Sequence, residues 1–174
     1  MAIDTRQTIP IILGNILDAT TEYIAQQNCC TAMKPHGLSE TIAVKWPEID
    51  PYSCKKRFKG NWSTLDSRPE PGTIWVYEQE NGPHVICMFA QYIHGRPGYY
   101  KDPLNAPFPD LATSRLKYFQ ICLESITELK PKSIGFPWKI GCGLAGGDWK
   151  TYYSVILEWS KKNPEIHCVF YKLD

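Results

Sequence analysis

No apolar run in this chain approaches the roughly 18 residues that a membrane span requires, and no sign of charge dominates, with 19 basic against 18 acidic side chains and a net charge of +1. The first absence predicts a chain with no membrane segment. The second argues against binding long nucleic acid by phosphate neutralisation alone, which needs a basic face. The opening MAIDTRQTIPIILG lacks a basic stretch and a small-residue cleavage site, so no secretory signal is expected and the location is read as cytoplasmic or also nuclear. Metal-site spacings are missing too. There is no Cys-x-x-Cys, no His-Glu-x-x-His and no Pro-Cys-x-x-Cys, and His36, His84, His94 and His167 are scattered. A structural zinc site and zinc deaminase chemistry are therefore not expected, and neither metal nor cofactor is assigned.

The seven cysteines are an odd number, which cannot close into a full disulfide framework and suits reduced thiols. Cys87, Cys122 and Cys168 sit inside apolar runs and read as small buried hydrophobes. With 174 residues, 12 glycines and 14 prolines, the chain is long enough to bury a core unaided and far from a low-complexity composition. A single domain over 1–174 is expected.

The hydrophobic pattern predicts strands over 8–13 and 22–30 and a helix over 38–46, capped by Ser39 and stopped by Trp46-Pro47. Residues 47–72 read as surface loop. Strands over 73–78 and 84–93 form a hairpin, and the proline- and aromatic-rich stretch 94–110 is longer than an ordinary connector, which is typical of a loop bordering a site. A helix over 115–130 with its cap at Thr113 or Ser114, a strand over 133–140, a glycine turn over 141–147, a helix over 148–162 and a strand over 167–173 complete the chain. Alternating strands and helices specify an α/β layered domain with a partly parallel sheet.

Chemistry concentrates at Gly141-Cys142-Gly143-Leu144-Ala145-Gly146-Gly147-Asp148. The spelling matches Gly-x-Gly-x-x-Gly, yet only one helix and one strand follow, too few for a dinucleotide-binding fold built downstream of it. No Gly-Lys-Ser/Thr follows for a Walker loop, and Asp148 stands where a cysteine phosphatase needs arginine. What remains is the physics those motifs share: glycine lets backbone approach an anion, and free N–H groups at a helix N-terminus favour negative charge. A tight strand-to-helix turn with Asp148 as N-cap accounts for part of the same spelling.

The segment PWKIGCGLAGGDW, 137–149, resembles the second phosphate loop of the macro domain family, in particular its divergent branch of ADP-ribose 1''-phosphate phosphatases and ADP-ribosyl hydrolases. The order of elements resembles that family over nearly the whole chain. The resemblance implies a three-layer α/β/α domain with a central mixed sheet and an ADP-ribose cleft at the carboxyl ends of the strands. It places Asn15, with its neighbour Ile16, where the family carries the aspartate that holds adenine, and Tyr171 where an aromatic packs near adenine. Asn28 resembles the asparagine near the distal ribose, and Lys34, Pro35, His36 and Gly37 replace the family's flexible glycines.

By that resemblance the ligand is ADP-ribose or ADP-ribose 1''-phosphate, with ADP-ribosylated macromolecules as further partners of a monomeric protein. Ligand contacts are expected from Asn15, Ile16, Lys34, Gly37, Gly141, Cys142, Gly143, Leu144, Ala145, Gly146, Gly147 and Tyr171. Hydrolysis at the distal ribose is expected to use Asn28 on a ribose hydroxyl, Asp148 to orient or deprotonate water, and His36, a residue type that exchanges a proton near neutral pH, to protonate the leaving oxygen. The alternatives are a non-catalytic ADP-ribose reader and a hydrolase that removes ADP-ribose from protein or nucleic-acid ends. Outside the family, Lys55, Lys56, Arg57 and Lys59 suggest a module that holds the phosphates of nucleic-acid ends.

Overall fold

A computed structural model describes residues 8–174 of the chain. Its centre is a six-stranded sheet in the order β1-β8-β7-β2-β6-β5, made of β1 (Ile11–Leu13), β2 (Tyr23–Cys29), β5 (Ile74–Tyr77), β6 (His84–Gln91), β7 (Ser133–Pro137) and β8 (His167–Lys172). Every neighbouring pair is parallel except β5 on β6, which is antiparallel. The sheet is mixed for a simple reason: a short turn joins 77 to 84 and allows only a hairpin, whereas longer crossovers join the rest.

Residues of β6 alternate between the two faces. Ile86, Met88 and Ala90 join the core under α2 (Ala112–Leu129) and α3 (Trp149–Lys162). Val85, Cys87 and Phe89 join the opposite core, with Ile42, Trp46 and Ile49 from α1 (Leu38–Lys45) and the turn after it. The period of two buries both faces and produces the three α/β/α layers. On α2, Phe119, Cys122, Leu123 and Ile126 are buried and Leu129 is exposed at the end of the stripe. The helix stops at Lys130, which adopts a left-handed conformation before Pro131. Among the described residues no helix is long and apolar enough to cross a membrane.

Several local expectations change. Gly37, not Ser39, caps α1, with φ at +58°. Ser39 is the second residue of the helix, where its hydroxyl donates to His36 O at 2.9 Å and accepts from His36 N at 3.1 Å. Neither Thr113 nor Ser114 caps α2; Leu111 does, without a side-chain bond. The strand expected over 133–140 ends at Pro137: Trp138 N still reaches Tyr171 O on β8, but Lys139 takes φ of +63° and Ile140 N bonds back to Pro137 O.

The largest change is in 47–72. A two-stranded sheet, β3 (Arg57–Lys59) and β4 (Trp62–Ser63), lies inside it, and Ile49, Tyr52, Lys55 and Ser63 are buried. Lys55 Nζ donates to Cys29 O, Cys30 O and Ala32 O at 2.9, 2.6 and 2.8 Å. Among the described residues no carboxylate pairs with it; three carbonyls and the Tyr52 ring, 4.6 Å away, take that place. Burial draws the Lys55 ammonium down to about 8. The residue is therefore removed from the basic cluster proposed for nucleic-acid ends, and only Lys56, Arg57 and Lys59 remain on the surface.

Candidate functional site

A cleft of about 390 Å³ opens at the carboxyl ends of β2, β6 and β7. Three segments and Tyr52 wall it: residues from the end of β2 into the start of α1, the last residue of β6 and those after it, and the turn after β7. In open α/β sheets this end of the strands is where ligands collect.

The turn after β7 supplies backbone N–H groups. Within it, Cys142 N donates to Lys139 O, Gly146 N to Gly143 O and Gly147 N to Gly141 O. Among the described residues no group accepts from the N–H groups of Gly141, Gly143, Leu144 or Ala145, and those four are the turn residues that line the cleft. The glycines are needed for more than flexibility. Gly141 has φ of +77°, and a Cβ on Gly147 would lie 2.5 Å from Gly141 O.

From the β2 side come Gln27, Cys29, Lys34, His36 and Gly37. The β2–β6 register shifts between Gln27 and Cys29, a bulge that re-aims side chains at the strand end. From the β6 side come Gln91, His94 and Gly95, and Trp138 and Lys139 close the far wall. No aspartate or glutamate lines the cleft among the described residues, whereas Lys34, His36, His94 and Lys139 do. That charge pattern admits an anion and repels a cation.

Other expected site residues lie elsewhere. Asp148 caps α3, accepting from Thr151 Oγ1 at 2.6 Å and Thr151 N at 3.3 Å. It borders a second cavity of about 270 Å³, on the α2 side of the turn, with Gly146 and Gly147. Gly141 and Ala145 wall both cavities, so the turn separates His36 from Asp148. Asn28 is buried behind the cleft, its Nδ2 donating to Tyr52 Oη at 3.3 Å and its Oδ1 without a donor among the described residues.

Asn15 Oδ1 accepts from Leu17 N at 3.0 Å, capping the short 3-10 helix Ile16–Asp18, and Ile16 is core. Tyr171 is also core. Its ring lies over Gly135, where a Cβ would meet it at 2.4 Å, and its hydroxyl accepts from Thr20 N at 3.3 Å. Cys142 is half-buried; burial first, and Asp148 second, push its thiol up to about 11.

Two buried ion pairs anchor the 94–110 loop. Arg68 meets Asp102 at 2.8 and 3.1 Å, and Arg115 meets Asp110 at 2.7 and 3.0 Å. His94, Gln27 and Gln91 line the cleft without belonging to any motif in the sequence. The carboxyl-end rule applied to β2 and β6 is the signal that finds them. No cluster of three or more metal-ligating side chains occurs among the described residues.

No protein-family model matches the chain, and no curated protein matches it. Solved structures do. The macrodomain of Mycobacterium tuberculosis DarG is 22% identical, with a TM-score of 0.66 over 94% of this chain and 97% of that one. Thermosipho africanus DarTG in complex with ADP-ribose is 14% identical, with a TM-score of 0.66 over 98% of this chain and 43% of that one. A Trypanosoma brucei macrodomain in complex with ADP-ribose is 12% identical, with a TM-score of 0.58, covering 96% of this chain and 64% of that one. The likeness establishes the fold.

Proposed function

From this macrodomain fold we propose that the chain binds ADP-ribose and hydrolyses an ADP-ribose derivative at the distal ribose, with ADP-ribose 1''-phosphate as the substrate. One observation carries the binding reading: the four turn residues whose N–H groups lack an acceptor are those facing a cleft with four basic side chains and no carboxylate. Unengaged N–H groups in a cationic, acid-free cleft suit a diphosphate better than any neutral ligand. Two of the similar solved structures are complexes with ADP-ribose, which supports the choice of diphosphate.

The hydrolytic reading rests on His36. Its backbone is held from both sides by Ser39, and its side chain belongs to the cleft. In this reading His36 gives a proton to the departing oxygen and Lys34 offsets phosphate charge. Asp148 acts at a distance, by capping α3 and so fixing the turn. Asn28, set behind the cleft wall, supports the β2 end through Tyr52.

The test is to incubate the purified chain with ADP-ribose 1''-phosphate, follow inorganic phosphate, and measure ADP-ribose binding by calorimetry in the same preparation. Phosphate release with binding supports the enzyme. Binding without release supports a reader, and absence of both removes the proposal.

A further inference from the structure

We propose that His94 is the base of the cleft: its imidazole takes the proton of the attacking water while His36 protonates the departing ribose oxygen. This rests on the hydrolytic reading above and deepens it by supplying the proton acceptor that Asp148, on the other side of the turn, cannot be.

The first argument is elimination. With no carboxylate among the described lining residues and no acceptor on a lysine ammonium, a base must come from a histidine, a thiol or the Tyr52 phenol, and burial raises that phenol and keeps it protonated. Burial raises the Cys29 thiol, which disfavours its charged form. His36 is assigned the opposite role, and His94 remains.

The second argument is that His94 is not a structural histidine. A buried packing histidine ordinarily has its nitrogens hydrogen-bonded, but His94 Nδ1 is buried without a partner among the described residues. The ring is held by aromatic contact instead, 4.8 Å from Trp62 and 4.7 Å from Tyr100 between centroids. Because Nδ1 is buried, proton exchange falls to Nε2.

Thirdly, the backbone on both sides of His94 is clamped. Ile93 O accepts from Arg115 Nη2 at 2.8 Å and Gln91 Nε2 at 2.9 Å. Gly95 O accepts from Arg115 Nη1 at 2.8 Å and Gln91 Nε2 at 3.3 Å. Such support is what a preorganised catalytic group requires. The same network orients a second acceptor. With Gln91 Nε2 donating to carbonyls, Gln91 Oε1 accepts from Gln27 Nε2 at 3.2 Å, which leaves Gln27 Oε1 buried without a donor beside Gly141.

The groups around His94 favour its neutral form. Burial lowers the imidazole below the ordinary histidine value, His36 and Arg115 lower it further, and Asp110 alone opposes them. A neutral ring at physiological pH is ready to accept a proton.

The step balances. Water oxygen bonds to phosphorus and its proton passes to His94; the bond from phosphorus to the 1'' oxygen breaks, and that oxygen takes a proton from His36. ADP-ribose and inorganic phosphate leave, and bulk water returns both histidines to their starting states.

The test uses the full chain with ADP-ribose 1''-phosphate. His94→Phe preserves ring packing against Trp62 and Tyr100, and His94→Gly opens space for added imidazole. The expected result is a kcat lower by about 10²-fold or more in both, ADP-ribose affinity within about threefold of wild type, and partial recovery of His94→Gly by imidazole. Wild-type kcat should fall as pH falls, through a midpoint below about 6.5, and this limb should vanish from the residual activity of His94→Phe. Wild-type kcat in His94→Phe overturns the assignment, as does a variant that loses affinity and turnover together. A wild-type chain that binds ADP-ribose but releases no phosphate overturns the hydrolytic reading itself, and the role of His94 with it.

Discussion

The guanidinium of Arg115 donates to the carbonyl of Ala145 across 3.1 Å, tying the first turn of α2 to the cleft-lining turn thirty residues later. The same side chain holds Asp110 and the backbone around His94, so one buried cation joins two walls of the cleft. Arg115→Met should leave Asp110 an uncompensated buried charge and cost about 3–5 kcal/mol. Adding Asp110→Leu should recover part of that stability but not ligand affinity, since Ala145 O stays unheld. Urea unfolding and calorimetry on the single and double variants measure both quantities.

Gly147→Ala forces a Cβ to within 2.5 Å of Gly141 O and 2.9 Å of the Tyr152 ring. Backbone cannot yield as a flexible side chain does. The turn must shift, and ADP-ribose affinity should drop by about tenfold or more, since a donor set displaced by 1 Å no longer meets its acceptor. Titration calorimetry against ADP-ribose tests this; unchanged affinity would remove the turn from the binding site.

Asp148→Ala separates capping from catalysis. Loss of a side-chain N-cap should cost about 1 kcal/mol, read as a lower urea midpoint at unchanged slope. Turnover should fall far less than the 10² expected for a general base. A collapse of kcat without loss of affinity would return the base to this residue.

Lys55→Met leaves three buried carbonyls, those of Cys29, Cys30 and Ala32, without their donor. At roughly 1–3 kcal/mol for an unsatisfied buried group, the variant should lose at least 3 kcal/mol in urea unfolding. Lys55→Arg is the comparison that retains charge. Oligonucleotide binding, if present at all, should be indifferent to Lys55, since its ammonium is enclosed.

Much of the fold was legible in the sequence. The β5–β6 hairpin, the stripe of α2 and the Asp148 cap of α3 follow from periodicity and end signals that act locally. What escaped depended on contacts distant in sequence. Nothing near Lys55 announces that its acceptors lie in the segment 29–32, and Ser39 is a good helix cap by type that instead brackets His36. At the site, the turn 141–147 stood out because glycine spacing is a backbone property. That Gly143 and Leu144 line one cavity while Gly146 and Gly147 line the other arises from how α2 packs, and no spacing encodes it. His94 and Gln27 belong to no motif: their place at the cleft follows from where β2 and β6 end.

The pairing of β1 with β8 reaches beyond architecture. Ile11 and Phe170 are neighbours in the sheet, and β7 becomes an interior strand only when β8 lies beside it. During synthesis at the ribosome, β1 therefore has no partner until almost all of the described chain has emerged. The protein should acquire ligand-binding competence late and in one step, and folding should be slow for its size, as expected when pairings span long stretches of chain.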